Sequence, residues 1–313
     1  MKLTLPDKSI RDLDNGSSGF DLANDIGPGL AKAAVAVTVD GVQRDLHDPI
    51  MHDANISIIT IDSEEGLEIM RHTLAAQVLA RAVKNLYPKS KLAIGPTIKD
   101  GFYYDVECKE TISIDDLKKI EKEMDKIVKT KSSITKKLLT KKDALKVFKD
   151  KDESYKEEII NDSDQEDEFQ LYYQDDEDFV DLCKGPHLPN LNFIGAYKLT
   201  TISGAYWKGD SSNTMLTRIY GTAWSNEKDL NEHLNNIEEA QKRDHRKLGK
   251  EMDLFHFQDE APGMVFWHPN GWSIYRNLRN FVRKRLQEND YIEVNTPQVC
   301  LLYTSDAADE SVR

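Results

Sequence analysis

Two chemically versatile side chains stand four residues apart in the segment FVDLCKGPHLP, residues 179–189. Cys183 and His187 flank a Gly185-Pro186 pair, which predicts a turn between them. A thiol and an imidazole are both zinc ligands, and together they can also act as nucleophile and base in hydrolysis. The simplest alternative is a buried thiol beside a structural histidine. This segment therefore supplies half of a site at most.

The candidate partner for this pair is His72, in the segment MRHTLAAQVLA. On a helix, a second ligand belongs four residues further on, on the same face. That position is Ala76, and Gln77 follows it. The residues alone thus offer three candidate ligands, His72, Cys183 and His187, and leave a metal site, a hydrolytic site and a structural cluster all open.

Composition limits the classes of protein to which the chain can belong. A length of 313 residues suffices for two or three domains. The net charge of −13 gives no bulk attraction to nucleic acid, so RNA contacts would need local basic patches. The cysteines Cys108, Cys183 and Cys300 are odd in number and widely spaced, which is typical of a reducing compartment. No apolar run reaches the length of a signal peptide or a membrane span, so we expect a cytoplasmic protein with no membrane partner.

The apolar pattern predicts an α+β, multidomain chain. Residues 1–62 alternate as strands around Pro6-Asp7 and Asp40-Gly41, with a short helix that ends near residues 27–29. A helix capped by Ser63 should follow and end at Pro88, because its apolar residues keep helical spacing.

The next segment should hold both strands and a helix. Strands are expected around Asp100-Gly101, and an amphipathic helix over 116–130. The acidic stretch 161–182 is interpreted as a solvated loop or a strand edge.

The last segments predict a sheet, a connector and the start of another domain. Two or three strands are expected over 196–224, with turns at Gly204 and Gly209-Asp210. A long helix over 225–252 should connect to a domain that begins near residue 253. The second half of this helix, residues 242–250, is basic.

Four longer blocks give the sequence a specific resemblance to a known family. They are DFVDLCKGPHLP, SGAYWKGDSSNTMLTRIYGTAW, EEAQKRDHRKLGKEMDLFHF and GMVFWHPNGWSIYRNLRNFVR. In this order and spacing they resemble bacterial threonyl-tRNA synthetases, which are class II enzymes. The resemblance covers residues 1 to about 299.

The resemblance implies a domain organisation. The implied parts are a β-grasp, ubiquitin-like TGS domain at 1–62, an α+β editing domain that deacylates Ser-tRNA at 63–224, a linker helix at 225–252, and the start of the class II antiparallel-sheet domain, through motif 1, at 253–299. Residues 300–313, LLYTSDAADESVR after Cys300, do not continue motif 1 and are interpreted as a foreign tail.

The resemblance also implies an activity. Full-length members join L-threonine to tRNA(Thr) with ATP, Mg²⁺ and one catalytic Zn²⁺, as homodimers, and hydrolyse mischarged Ser-tRNA(Thr). The residues of the synthetic site lie beyond residue 299 in the family, so this chain would at most edit.

The residues of the family's editing pocket can be matched one by one to positions in this sequence. The resemblance implies that His72, Lys156, Asp181, Cys183 and His187 form it. No cofactor-binding residue and no metal site are expected in this part of the chain.

One position departs from the family pattern. The family's second helix histidine is replaced by Gln77, because one extra residue lies between the flanking segments. We expect this insertion to be absorbed as a π-bulge that returns Gln77 toward the face of His72. Glutamine can hydrogen-bond substrate or water but cannot act as a base. His72 or a substrate-bound water would then move the proton.

Two other classes of function stay open on the sequence. The chain could be a non-catalytic tRNA-binding or RNA-binding module that uses residues 1–62 and the basic stretch 242–250. It could also be a stand-alone editing protein, although the onset of motif 1 argues against that.

Overall fold

The computed structural model describes residues 1–175 and 179–295, and the foreign-tail interpretation therefore concerns residues outside the described part. The chain divides into two units, Met1–Leu234 and a second that starts at Asn235. Among the described helices, none has the length and apolar character to cross a membrane. The chain is a multidomain α+β protein, as predicted, and its sheets are described in chain order below.

The N-terminal segment forms a mixed five-stranded sheet in the order β2-β1-β5-β3-β4. β1 and β5 are parallel and the other pairs are antiparallel. Both predicted hairpins are confirmed: one joins β1 to β2, and the other turns through Asp40-Gly41 with positive φ at both residues. A second helix follows the first, where the sequence predicted that helix would end. The bounds are β1 Lys2–Thr4, β2 Ile10–Asp12, α1 Gly19–Ile26, α2 Pro28–Ala33, β3 Ala34–Val39, β4 Val42–Asp45 and β5 Ala54–Thr60.

The rest of the first unit contains two antiparallel sheets. One has the order β12-β13-β8-β6, with β7 paired to β8, and the other has the order β11-β10-β9. The bounds are α3 Glu64–Thr73, α4 Ala80–Leu86, β6 Lys91–Leu92, β7 Thr97–Ile98, β8 Gly101–Glu107, α5 Leu117–Thr130, β9 Ile134–Leu139, α6 Lys141–Asp150, α7 Ser154–Asn161, β10 Phe169–Gln174, β11 Phe179–Leu182, β12 Ala196–Tyr206 and β13 Met215–Trp224. The described residues of this region also form 3₁₀ turns at Ile114–Asp116, Leu191–Phe193 and Trp207–Gly209.

Two interpretations of this region are corrected by the structure. The acidic stretch is interpreted from the sequence as a solvated loop or a strand edge. It does contain the edge strand β11, but β10 is the central strand of its sheet and buries Tyr172 with 1% of its surface exposed. Its aromatic and aliphatic residues pack inward while its carboxylates flank the strand. The turn expected at Gly204 is also wrong, since β12 runs through that glycine to Tyr206.

A π-helical turn joins α3 to α4, as the one-residue insertion predicted. Leu74–Leu79 form this turn, and the Ala80 N–H donates to the Ala75 carbonyl, five residues back. A π-turn frees a backbone carbonyl, which must find another donor when it is buried. The Gln77 carbonyl accepts from Gln174 Nε2, and Arg81 Nη1 donates to Gln174 Oε1 at 2.9 Å. Gln174 on β10 thus donates to a backbone carbonyl of the π-turn.

The division between the two units falls within α8, which covers Glu227–Lys242. The described part of the second unit then contains α9 His245–Glu251, β14 Phe255–His256, β15 Phe266–Trp267 and α10 Pro269–Glu288. The predicted continuous connector helix breaks between α8 and α9, because Asp244 caps α9 by accepting from the Arg246 N–H. β14 and β15 pair antiparallel.

Replacing Gln174 with leucine tests the support of the π-turn. Gln174→Leu should lower the free energy of unfolding by about 1–3 kcal/mol, because the buried Gln77 carbonyl loses its donor. Chemical denaturation followed by circular dichroism measures this. The matched control Gln43→Leu, on the exposed face of β4, should change stability by no more than about 0.5 kcal/mol. Equal stability of the two variants would contradict the assigned role of Gln174.

Candidate functional site

A cavity of about 640 Å³ opens in the first unit, between the π-turn and the edge of the three-stranded sheet. This volume lies in the range of small-molecule sites. His72, Lys156, Asp181 and Cys183 all line it, and His187 lies directly behind His72. The structure thus brings together all five residues that the resemblance implied, from segments far apart in the chain.

A buried ion pair forms one wall of the cavity. Lys156 Nζ on α7 lies 2.5 Å from Asp181 Oδ1 on β11, and the two side chains are 3% and 2% exposed. Asp181 also accepts from the Tyr104 hydroxyl at 2.8 Å and from the Leu182 N–H at 2.8 Å. A buried charge is tolerated only when its hydrogen-bonding capacity is met in this way.

Tyr104 on β8 is a residue of the site that sequence reasoning missed. Burial raises the pKa of its hydroxyl well above the usual range, and the neighbouring Asp181 adds to that shift. Tyr104 therefore stays protonated and donates to Asp181. Its place on one face of β8 with Phe102 and Val106 identified it only as a core residue.

A thiol and two imidazoles form a second cluster, in which His72 and Cys183 line the cavity and His187 lies behind them. His72 Nε2 lies 2.7 Å from Cys183 Sγ, and the His72 and His187 rings stack with centroids 4.6 Å apart. Burial raises the pKa of Cys183 to about 12, so the thiol keeps its proton and can donate it to His72. The Gly185 N–H in turn donates to Cys183 Sγ at 3.3 Å.

Both imidazoles are neutral near pH 7. Burial lowers the pKa of His72, against the opposing effect of Asp181. Burial also lowers the pKa of His187 well below its usual range, and the charge of His72 would lower it further. Neutral histidine can accept a proton, so His72 is available as a base.

The tautomer of His187 follows from its neighbour on α3. The Thr73 hydroxyl donates its proton to the Ile69 carbonyl at 2.8 Å, so it can only accept from His187 Nδ1, 3.2 Å away. Nε2 then carries the lone pair. This atom is buried and has no hydrogen-bond partner among the described residues.

Three donors in this cluster are of the type that binds zinc. One ligand atom each from His72, Cys183 and His187 lie within 4.8 Å of one another. Catalytic zinc sites commonly use three protein ligands, so the donor set fits such an ion, with the unpartnered His187 Nε2 as one ligand. Cys183 would have to lose its proton to bind it.

Gln77 does not lie where the sequence led us to expect it. Ala76 lines the cavity next to His72, whereas Gln77 is fully buried and accepts a hydrogen bond from Gln174. The π-turn therefore rotates an alanine, not the glutamine, onto the face of His72.

Two segments of the chain match known domain families. Residues 1–60 match the TGS domain, and residues 170–220 match the threonyl and alanyl tRNA synthetase second additional domain. The second match includes all of β11, β10 except its first residue, and Asp181 and Cys183. A chain with these two domains is of the class of aminoacyl-tRNA synthetases that carry this additional domain.

The chain is also similar to the threonine–tRNA ligases of several bacteria. The chain is 49% identical over 296 residues to the threonine–tRNA ligase of Prochlorococcus marinus, 49% over 297 residues to that of Hahella chejuensis, and 46% over 297 residues to that of Psychrobacter cryohalolentis. Each comparison covers 95% of this chain and 46% of the relative, so the chain spans about half the length of these proteins. The chain belongs to the threonyl-tRNA synthetase family and corresponds to its N-terminal portion.

The buried histidines make stability depend on pH in a defined direction. The pKa of His187 is lowered in the folded state, so below about pH 6.5 the unfolded chain binds a proton that the folded chain does not. The free energy of unfolding should therefore fall as pH drops from 7 to 5, by up to about 1.4 kcal/mol per pH unit for each such histidine.

Denaturation of the wild type and His187→Gln across this range measures the contribution of His187. The variant should show a shallower slope, whatever its absolute stability. His52→Gln, at an exposed histidine of the N-terminal sheet, serves as the control and should keep the wild-type slope. An unchanged slope in His187→Gln would show that His187 takes up its proton in the folded state.

Proposed function

We propose that the first unit hydrolyses the ester that links serine to the 3′ end of tRNA(Thr). The observation that carries this proposal is the convergence of a neutral imidazole, a protonated thiol and a lysine ammonium on one cavity. These are the groups that ester hydrolysis needs: a base for water and a cation for the oxyanion. Membership of the threonyl-tRNA synthetase family and the match to the second additional domain support the choice of substrate.

Physical chemistry explains why such a site would accompany threonine activation. Serine lacks one methyl group of threonine, and a pocket gains only about 1–3 kcal/mol from a group of that size. A site that admits threonine therefore also accepts serine at an appreciable rate. Removal of the serine ester in a separate cavity restores accuracy.

His72 is the proposed general base. Once the Cys183 thiol turns its proton away from His72 Nε2, a water that takes its place can attack the ester carbonyl carbon while the water's proton passes to that nitrogen. The bond between the carbonyl carbon and the ribose 3′ oxygen then breaks, and the proton from His72 goes to that oxygen. The products are serine and tRNA with a free 3′ hydroxyl. Cys183, with its raised pKa, acts here as a hydrogen-bonding group that orients His72 and the water, not as a nucleophile.

Lys156 is the proposed oxyanion-stabilising group. Asp181 fixes its ammonium through one hydrogen bond, which leaves two N–H donors for the carbonyl oxygen and the ribose. Because Asp181 is itself held by Tyr104 and Leu182, the lysine position is set before substrate binds. Such preorganised charge in a buried site commonly contributes the largest part of a rate enhancement.

The longer protein to which this portion belongs is proposed to be a threonine–tRNA ligase. It would join L-threonine to tRNA(Thr) with ATP and Mg²⁺, use one catalytic Zn²⁺, act as a homodimer and work in the cytoplasm. The names of the relatives, all threonine–tRNA ligases, support this proposal. The absence of any paired cysteine arrangement in the sequence agrees with a reducing compartment.

A deacylation assay tests the hydrolytic function. Radiolabelled Ser-tRNA(Thr) and Thr-tRNA(Thr) are each incubated with the purified chain and with buffer alone. The serine ester should be hydrolysed well above the buffer rate, and faster than the threonine ester. Hydrolysis of the serine ester no faster than in buffer would overturn the proposal.

The pH profile of that reaction tests the role of His72. Its basic form is the active one, and burial lowers its pKa below about 6.5. After subtraction of the buffer rate, kcat should therefore rise with pH, reach half its maximum below pH 6.5, and be constant near pH 7. His72→Gln should abolish this acid limb and most of the rate. An acid limb centred above pH 6.5, or a full rate in the variant, would exclude His72 as the base.

Replacing Lys156 tests the oxyanion role. Lys156→Met should lower kcat by about 100- to 1,000-fold, which is the usual effect of removing one oxyanion donor. Lys129→Met, at an exposed position of α5, is the matched control and should retain the wild-type kcat. Circular dichroism confirms that both variants are folded. A folded Lys156→Met with kcat within a few-fold of the wild type would assign the ammonium a structural role only.

A further inference from the structure

A carboxylate of the N-terminal sheet reaches the back of the hydrolytic cavity. Asp45 is the last residue of β4, and its side chain is 16% exposed. Its Oδ1 accepts from the His187 backbone N–H at 2.9 Å, and its Oδ2 accepts from the Tyr172 hydroxyl at 2.7 Å. Lys136 Nζ on β9 lies 2.8 Å from the same carboxylate. Every one of these partners belongs to the region that follows the N-terminal sheet, not to that sheet.

The partners of Asp45 are the groups that support the imidazole pair. The Tyr172 ring meets the His187 ring edge-on, with centroids 4.4 Å apart, and His187 stacks on His72. One carboxylate thus holds both the backbone of His187 and the ring that packs against its imidazole. The contacts therefore run from Asp45 to Tyr172 and His187, and from His187 to His72.

Tyr172 also fixes the loop that carries the thiol. Gly185 has φ of +65°, and a Cβ at this residue would collide with the Tyr172 hydroxyl. Its N–H donates to Cys183 Sγ. The close approach of Tyr172 to Gly185 therefore links the position of the hydroxyl, which Asp45 determines, to the position of the Cys183 thiol.

The charge of Asp45 makes these contacts strong. Hydrogen bonds to an ionised acceptor are shorter and about twice as strong as those between neutral groups. Lys136 also pairs with Asp48, so the region holds two carboxylates around one ammonium. Of these two carboxylates, Asp45 contacts His187 and Tyr172, and Asp48 offers a natural control.

We propose that Asp45 is a positioning residue for the hydrolytic site, and that the N-terminal sheet is thereby a structural component of the editing pocket. Asp45 holds His187 and Tyr172, which in turn hold His72 and the Cys183 loop. Loss of this carboxylate should lower the rate of the chemical step more than the affinity for tRNA. This inference rests on the proposed function, and its test includes a measurement that needs no catalysis.

The kinetic test compares Asp45→Ala, Asp45→Asn and Asp48→Asn in Ser-tRNA(Thr) deacylation. Asp45→Ala removes all three contacts and should lower kcat about 10- to 100-fold with KM within about threefold, because displacements near 1 Å at a reacting group have effects of this size. Asp45→Asn keeps one acceptor and should recover part of that loss. Asp48→Asn should retain the wild-type kcat, since it removes only an ion pair with Lys136.

The second measurement is the rate at which Cys183 reacts with N-ethylmaleimide. It uses the full chain with Cys108→Ser and Cys300→Ser, so that one thiol remains. Asp45→Ala should change the alkylation rate of Cys183 at least about tenfold, because the loop at Gly185 loses its support, whereas Asp48→Asn should not change it. If the wild type does not deacylate Ser-tRNA but Asp45→Ala still alters alkylation, the positioning role stands and only the proposed function fails.

A second variant, which keeps the Asp45 carboxylate, allows the proposal to be tested even if Asp45→Ala does not fold. Tyr172→Phe removes only the hydroxyl that donates to Asp45 Oδ2 and retains the ring against His187. It should lower kcat and alter Cys183 alkylation in the same direction as Asp45→Ala, by a smaller factor. Wild-type kcat and wild-type alkylation in both Tyr172→Phe and Asp45→Asn would overturn the proposal.

Discussion

The buried ion pair between Lys156 and Asp181 is the constraint on which the site depends. Removing two charges from water is costly, and mutual attraction offsets that cost only when the remaining hydrogen-bonding groups are satisfied. Here α7 supplies the ammonium, β11 the carboxylate and β8 the Tyr104 hydroxyl that completes it. The three elements must therefore assemble in one arrangement, and that arrangement forms one wall of the cavity.

Charge is distributed unevenly around the cavity. Burial keeps His72, His187 and Cys183 in their uncharged forms, whereas Lys156 and Asp181 line the same cavity as an ion pair. An uncharged base and a cation at one cavity would suit the proposed reaction, in which negative charge develops on a carbonyl oxygen. Two hydrogen bonds hold His187 in its stacked position on His72. Thr73 on α3 accepts from its ring, and Asp45 on β4 accepts from its backbone N–H.

The irregular helix illustrates how a fold tolerates an insertion next to a functional residue. The extra residue that the resemblance implies falls in a stretch where the helix makes one π-turn, and the apolar residues of this turn and of α4 are buried in the core. Gln174 donates to the Gln77 carbonyl in this turn, which gives the fully buried amide on β10 a hydrogen-bond partner. In this arrangement Ala76, not Gln77, lines the cavity beside His72.

Sequence patterns sufficed for most local structure and for the identity of the family. Alternation and turn residues predicted the strands and hairpins of residues 1–62, and apolar spacing predicted α5 with Leu117, Ile120, Met124 and Ile127 all buried. These features follow from neighbours within a few residues, which is why they can be read from the chain. The sequence did not clearly predict strands β10 and β11, because the many carboxylates beside them made the whole stretch look solvent-exposed, although the strands themselves are largely buried.

What the sequence by itself determined is the set of chemically capable residues and the family to which they belong: His72, Lys156, Asp181, Cys183 and His187 stand out by type and by motif. Only the tertiary structure decided how they meet. The direction in which Gln77 points depends on a partner on β10, and the part of Tyr104 depends on a carboxylate on β11. The contact of Asp45 with His187 joins the last residue of β4 to the loop between β11 and β12. Such contacts arise from packing between elements that are distant in the chain, so they cannot be predicted from the local sequence.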